Sequence, residues 1–282
     1  MVLPESMVPD KFPDPPVTPK DAATVVLLRD TAAGLEAFLL RRVMGMAFAG
    51  GMSVFPGGGV DQRDADVAVA WTGPDAEWWA ERFDCPVPLA RALVCAAVRE
   101  TFEESGVLLA GPSASSVVSD TAPYASARKS LVDREFSLAQ FLAGAGLVLR
   151  ADLLQPWANW ITPAEEPRRY DTKFFIAALP EGQRADGSTS EADHAEWRRP
   201  TDAIALWKAG ERGLLPPTWM TLADLAEMPT VADAMAADRT ISKIIPKVIR
   251  EGHILRPVLP GDPAYPQAAN HLDAHPDDTL GR

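Results

Sequence analysis

The sequence predicts an α/β fold: a mixed β-sheet covered by helices on both faces. Two observations carry this. Short β-branched or aromatic runs alternate along the chain with stretches of helical composition. The chain of 282 residues is 47% hydrophobic and 23% charged, enough apolar material for a sizeable core.

The elements follow in order. Residues 1–20 carry Pro4, Pro9, Pro13, Pro15, Pro16 and Pro19 and read as an extended arm. The arm has no apolar stretch of the kind a signal peptide needs. Ala22 to Leu28 is a β-branched strand, Gly34 a turn, and Leu35 to Val43 the hairpin partner. Ser53 to Phe55 forms a short strand that stops at Pro56 and the glycines Gly57, Gly58 and Gly59. Residues 61–88, with Trp71, Trp78 and Trp79 among acids and prolines, read as an insertion holding a short helix near 75–82. Pro88 to Ser105 is the strongest helix: proline suits its first turn, alanines fill its middle, and Gly106 stops it. Val107 to Leu109 is expected to be a strand.

Residues 110–146 read as a mostly helical excursion, with Ser137 capping a helix over Leu138–Ala143. Strand composition returns at Trp160–Thr162 and Thr172–Leu179. A polar loop over Pro180–Glu196 follows, then a strand opening at Trp197. Helices are expected at Thr201–Ala209, Trp219–Met228 and Thr230–Ala237. Beyond residue 257 a segment near Val258–Leu259 docks, and 261–282 forms a loose tail. No internal repeat is present.

Composition narrows the function. The net charge is −12 and no run of five basic residues exists, which argues against a long nucleic-acid partner. A small anion remains compatible, because a divalent cation bridges anions to acids. No stretch of eighteen apolar residues occurs, so no membrane span is expected. Cys85 and Cys95 form neither a CxxC pair nor a disulfide framework, which fits a reducing cytoplasm. The four histidines, His194, His253, His271 and His275, are scattered and read as surface residues.

The chemistry is concentrated in Arg99-Glu100-Thr101-Phe102-Glu103-Glu104-Ser105-Gly106-Val107. On a helix, Glu103 lies about 300° and Glu104 about 40° around from Glu100, so three carboxylates share an arc of roughly 100°. Like charges this close repel, and a hard divalent cation removes the penalty. The position is also unfavourable for the helix, since acids near a C-terminus oppose the macrodipole.

This segment resembles the core of the Nudix box, Arg-Glu-apolar-any-Glu-Glu-any-Gly-apolar, and the preceding glycines match its Gly-rich start. Two departures stand out. Forty-one positions separate Gly58 from Arg99 where the family has about fourteen, so the tryptophan-bearing segment interrupts the box and its early glutamate is unassigned. Thr101 stands where an apolar residue is usual; a buried threonine can bond back to a helix carbonyl. Phe55-Pro56-Gly57-Gly58, the interrupted box, Trp160-Ile161-Thr162-Pro163, Asp171-Thr172-Lys173-Phe174-Phe175 and Pro216-Pro217-Thr218 are similar to one branch. That branch contains a peroxisomal coenzyme A diphosphatase and bacterial relatives.

The resemblance covers about residues 21–260 and implies a Nudix α/β/α sandwich with a mixed sheet and a mostly helical insertion. It implies that Glu100, Glu103 and Glu104 bind Mg²⁺ or Mn²⁺, and that Arg99 orients a glutamate. Gly58 and Gly59 then shape the loop under the metal. A distant acid serves as base or further ligand, and Glu191 is favoured over Asp193 and Glu196. At most one of Arg41 and Arg42 can clamp a substrate phosphate, since strand alternation points them to opposite faces. The tryptophans of the insertion either stack on adenine or pack the insertion onto the body.

The implied activity is hydrolysis of the diphosphate of coenzyme A or acyl-CoA to 3′,5′-ADP and (acyl-)phosphopantetheine. A Nudix hydrolase of ADP-ribose, NADH or dinucleoside polyphosphates is the alternative, and a non-catalytic nucleotide sensor is the alternative of another class. The partner is a small nucleotide-type molecule, and a homodimer follows by analogy with many family members. The C-terminal Thr279-Leu280-Gly281-Arg282 is not a recognisable peroxisomal address.

Overall fold

The structure is a computed structural model, and it describes residues 13–45, 49–66, 69–251, 254–266 and 268. The first part of the expected arm, His253, His271 and His275, and all of the expected tail except residues 261–266 and 268 lie outside the described residues. The chain divides into a larger unit, Asp21–Ala158 with Lys173–Ser242, and a smaller one, Met1–Lys20 with Asn159–Thr172 and Lys243–Arg282.

The elements are β1 (Lys20–Thr31), β2 (Gly34–Arg42), β3 (Met52–Val54), β4 (Gly57–Gly59), β5 (Trp71–Thr72), α1 (Ala76–Phe83) and α2 (Val87–Ser105). There follow β6 (Ala110–Gly111), α3 (Ala125–Val132), α4 (Leu138–Ala145), β7 (Val148–Arg150), β8 (Gln155–Ile161), β9 (Tyr170–Ala178) and β10 (Ala192–Arg198). The last are α5 (Pro200–Lys208), β11 (Gly213–Leu214), α6 (Pro216–Ala226), α7 (Val231–Ala236), β12 (Lys243–Ile244), β13 (Lys247–Glu251) and β14 (Ile254–Val258).

In the larger unit the strand order is β11-β3-β2-β1-β9-β8, with β10 also pairing β2 and β4 pairing β1. The sheet is mixed: β11 runs parallel to β3, whereas β1, β2, β4 and β10 pair antiparallel. Period-two alternation explains why both faces need cover. Ala23, Val25 and Leu27 of β1 join the core shared with α2, while Ala22, Val26 and Leu28 are buried outside it. Leu222, Leu225, Val231 and Ala234 of α6 and α7 are also buried outside that core, and α5 packs on β2. The expected α/β/α sandwich is thus present.

Helix α2 buries Leu93, Val94, Ala96, Ala97 and Val98 completely and ends at Gly106, whose φ of 74° places it in the left-handed region. Thr101 Oγ1 donates to the Ala97 carbonyl at 2.7 Å, so the hydroxyl at this fully buried position is satisfied within the helix. Within the segment 61–88, α1 is capped by Asp75 and fixed by Trp79, which is fully buried and stacks on Phe83 at 6.1 Å. Burying such an aromatic contributes on the order of 2–3 kcal/mol. Trp79 is therefore unavailable to a ligand. Trp71 and Trp78 are half-buried beneath the guanidinium groups of Arg91 and Arg82. Ser137 caps α4 with a reciprocal bond from Gln140, as its position predicts.

Three expectations are corrected. Gly57–Gly59 is not only a strand stop but a strand, paired with Ala22–Thr24. A Cβ on Gly57 would stand 2.5 Å from the Ala23 carbonyl oxygen, so only glycine permits this pairing. Val107–Leu109 is not a strand. The Gln183 side chain takes the place of a strand neighbour, accepting from the Leu108 N–H at 2.9 Å and donating to the carbonyls of Leu108 and Val118. The expected loop before Trp197 ends early, because β10 pairs with β2 from Ala192 onward.

In the smaller unit, β12 runs parallel to residues 159–160 of β8, and β13 and β14 form an antiparallel pair. Arg169 donates to the backbone carbonyls of Thr162 and Val17. Val258 is buried there, as expected for a docked segment.

Candidate active site

The site forms where the C-terminal half of α2 meets β4. Arg99 and Glu104 are buried on this helix, and Glu100 and Glu103 keep only 13% and 14% of their side-chain surface exposed. The helix frame brings the three glutamates to one side, as the spacing predicts. Glu104 accepts from the Gly57 N–H at 2.8 Å. Glu100 lies against Gly58, where a Cβ would stand 2.5 Å from its Oε1. At Gly59 a Cβ would meet only the Asp21 carbonyl oxygen, at an ordinary contact distance of 3.9 Å; its contribution is a carbonyl that accepts from Arg99 at 3.0 Å.

Arg99 is the cation at the centre. Its Nη1 donates to Glu100 Oε1 at 2.7 Å and reaches Glu103 at 3.4 Å. Its Nε and Nη2 form a two-bond fork on Asp64 at 2.9 and 2.8 Å. Burial works against the Arg99 charge, but the bonds to Asp64 and the field of Glu100 outweigh it and raise its pKa. Asp64 belongs to the turn Gln62–Ala65, opened by a reciprocal cap between Asp61 and Asp64. Sequence reasoning missed Asp64 as the acid that meets Arg99. The signal was the Asp61-x-x-Asp64 pair directly after the glycines, which marks a capped turn at the start of the long insertion.

Burial pushes the Glu104 carboxyl up to about 8, helped by the neighbouring Glu100 charge and opposed by the Gly57 N–H. Burial likewise lifts Glu100 to about 7, with Arg99 opposing, and raises Glu103. Among the described residues no three acids already close around one point. The donor set nevertheless fits a hard divalent cation: buried carboxylate oxygens, mutually repelling, beside a glycine whose missing Cβ leaves room. Arg99 offsets part of this repulsion through its contacts with Glu100 and Glu103.

The remaining expected residues lie at the edge of this cluster. Glu191 is half-exposed, pairs with Arg42 at 3.0 Å, and is near enough to Glu104 to raise its pKa. Arg42 acts on Glu104 in the opposite sense, so it is the member of the arginine pair beside the site. Arg41 pairs instead with Asp193 at 2.6 Å. Glu196 lies farther along β10, held by Arg198 and Arg212. His194 approaches Glu196 at 3.6 Å.

Gly58→Ala is expected to displace the Glu100 carboxylate rather than unfold the protein, since the clashing atom ends a flexible side chain. Activity should fall roughly a hundredfold, the cost of a misplacement near 1 Å, with little change in melting temperature. Steady-state kinetics and a thermal melt together check this. On the same helix, burial pushes the Cys95 thiol up to about 12, so it should resist alkylation in the native protein. The partly exposed Cys85 should react first, as mass spectrometry after iodoacetamide treatment would show.

A family model described as NUDT19 Nudix domain matches residues 73–225. The acyl-coenzyme A diphosphatase NUDT19 of Gallus gallus is 27% identical over 82% of this chain and 73% of its own length. The Homo sapiens protein of the same name is 26% identical, covering 86% of this chain and 75% of that one. The crystal structure of a NUDIX hydrolase from Alicyclobacillus acidocaldarius superposes with a TM-score of 0.69 at 28% identity, covering 79% of this chain and 98% of that one. Nudix hydrolases generally need divalent metal ions and act on small nucleotide-type substrates. Carrying the box residues on α2 and matched over more than half its length, the chain belongs to the Nudix hydrolases, in the NUDT19 branch, and is an enzyme acting on pyrophosphate bonds.

Proposed function

We propose that this enzyme hydrolyses the diphosphate of coenzyme A or acyl-CoA, giving 3′,5′-ADP and (acyl-)phosphopantetheine. The observation that carries the reading is the carboxylate cluster on α2: Glu100 and buried Glu104 packed against the glycines of β4, and Glu103 beside them at Arg99. The names of the avian and human relatives support the substrate class. Glu100, Glu103 and Glu104 would hold Mg²⁺ or Mn²⁺. When bound, the ion neutralises diphosphate charge and lowers the pKa of water.

The chain's own groups set the rest. Arg99 fixes the carboxylates of Glu100 and Glu103, and Asp64 fixes Arg99. The Gly57 N–H orients Glu104. Glu191 is the proposed base: it takes a proton from the attacking water as a new P–O bond forms and the bridging P–O bond breaks. The leaving phosphate retains the bridging oxygen. Arg42, once Glu191 turns toward water, is free to hold a phosphate oxygen. Gly58 and Gly59 keep the floor of the site open. We place Arg41 outside the site. The two free thiols support a cytoplasmic location, and size-exclusion light scattering would read the homodimer inferred by analogy.

The test is a substrate panel with Mg²⁺ or Mn²⁺: coenzyme A, acetyl-CoA, ADP-ribose, NADH and diadenosine tetraphosphate. Production of 3′,5′-ADP from CoA at the highest kcat/KM, lost in Glu103→Gln, supports the proposal. Preference for ADP-ribose or the dinucleotide would overturn the substrate while leaving the bond type intact.

A further inference from the structure

Diphosphate substrates bring several negative charges, yet most guanidinium groups near the carboxylate cluster are engaged by acids of the protein. Arg99 is held by Asp64 and Glu100, Arg63 by Asp61, Arg128 by Asp186, and Arg42 by Glu191. Arg134 differs. It is exposed, and among the described residues its guanidinium forms no hydrogen bond or ion pair. The helix it follows nonetheless lies at the cluster: Arg128 of α3 donates Nε to the Glu103 carbonyl at 3.0 Å, and Arg134 itself is close enough to Asp61 to favour its ionised form.

The backbone at Arg134 points the same way. Helix α3 ends in a Schellman turn, with the Arg134 N–H donating to Leu131 O and the Glu135 N–H to Ser130 O, both at 2.9 Å. Arg134 occupies the left-handed position of that turn, at φ 59°, where glycine is the unstrained choice. A strained non-glycine residue beside a functional cluster is a reason to look for a use of its side chain. The turn is also held in place. Arg63 Nη1 donates to the carbonyls of Arg134 and Phe136 at 3.2 and 3.4 Å, and the same guanidinium grips Asp61. Through the Gln62–Ala65 turn this ties Arg134 to Asp64 and so to Arg99.

We propose that Arg134 is an anion-binding, affinity-determining residue that takes a phosphate group of the substrate beside Glu103. The proposal rests on the reading of the enzyme as a diphosphate hydrolase. A guanidinium matches phosphate oxygens in a two-bond fork, which a lysine at the same place reproduces only in part.

The informative variant is Arg134→Gly. Glycine relieves the positive φ, so the fold should be as stable as the wild type or more so, while affinity falls. Calorimetric titration with inorganic diphosphate and with 3′,5′-ADP reads binding without turnover. At least one should bind the variant about ten- to a hundredfold more weakly. Arg134→Lys should recover part of the loss. Weakening of both probes assigns Arg134 to the diphosphate; weakening of 3′,5′-ADP alone assigns it to the 3′-phosphate. KM for CoA against dephospho-CoA separates the same two sources. Wild-type affinity for both probes in Arg134→Gly, or affinity lost only in step with lost melting temperature, overturns the proposal. Should wild-type enzyme leave CoA intact yet lose diphosphate affinity in Arg134→Gly, the substrate assignment fails and the anion site stands.

Discussion

Glu104→Gln should lower kcat by roughly 10²–10³-fold, the range for losing one preorganised charged group, while making the metal-free protein more heat-stable at alkaline pH. The opposite signs follow from the geometry. Glutamine keeps an oxygen to accept the Gly57 N–H, so that donor keeps its partner. It removes a buried charge that burial and Glu100 disfavour. Because the folded carboxyl sits at about 8, well above an ordinary carboxylate, its stabilising contribution is complete only below the unfolded value. That contribution disappears as pH rises through the folded value. Metal-free wild type should therefore lose melting temperature between about pH 5 and pH 9, and the variant should lose less. Mg²⁺ should restore wild type most at the alkaline end, where the carboxylates it binds are ionised. Melting curves at pH 5, 7 and 9, with EDTA or Mg²⁺, decide this. A wild-type curve that is flat with pH in EDTA would sink the argument.

The second large effect belongs to Asp64, whose side chain is 1% exposed and which carries two of the bonds to buried Arg99. Truncating it strands a buried guanidinium, which costs about 3–5 kcal/mol. Asp64→Ala should thus melt on the order of 10 °C lower than wild type. Asp64→Asn, which still accepts one bond, should lose less. Activity should fall in both, because Arg99 no longer holds Glu100 and Glu103 in place. Chemical denaturation measures the stability and the kinetics read the site. Equal melting temperatures for wild type and Asp64→Ala would show that Glu100 and Glu103 alone balance Arg99.

How much of this was legible in the sequence follows from which signals are local. The α2 helix, its glycine stop and the common face of Glu100, Glu103 and Glu104 depend on helical period and were readable directly. The bond that a buried Thr101 can make back to a helix carbonyl is of the same local kind, and it is made to Ala97. The strand at Gly57–Gly59 was not legible, because its cause is a close approach to Ala23 and Thr24 from another strand. Nor was the absence of a strand at Val107–Leu109, where a glutamine about 75 residues away supplies the bonds. Asp64 fell between the two cases. Its capped turn is local, but its meaning depends on Arg99, which the tryptophan-bearing segment places 35 positions on. The branch itself was visible from the box and its later motifs, since these are short runs of fixed order.

That glutamine also determines how the protein would age. The Gln183 side chain is 5% exposed, with its NH₂ donating to two carbonyls and its oxygen accepting one N–H. Deamidation there would replace the donor with a second acceptor and add a negative charge facing the oxygens of Leu108 and Val118. No rotation of a carboxylate repairs that mismatch. A single hydrolytic event at one amide would break the bonds that tie Leu108 and Val118 to the loop after β9. Burial that keeps water from this amide therefore sets a chemical lifetime for the fold as well as a thermodynamic one.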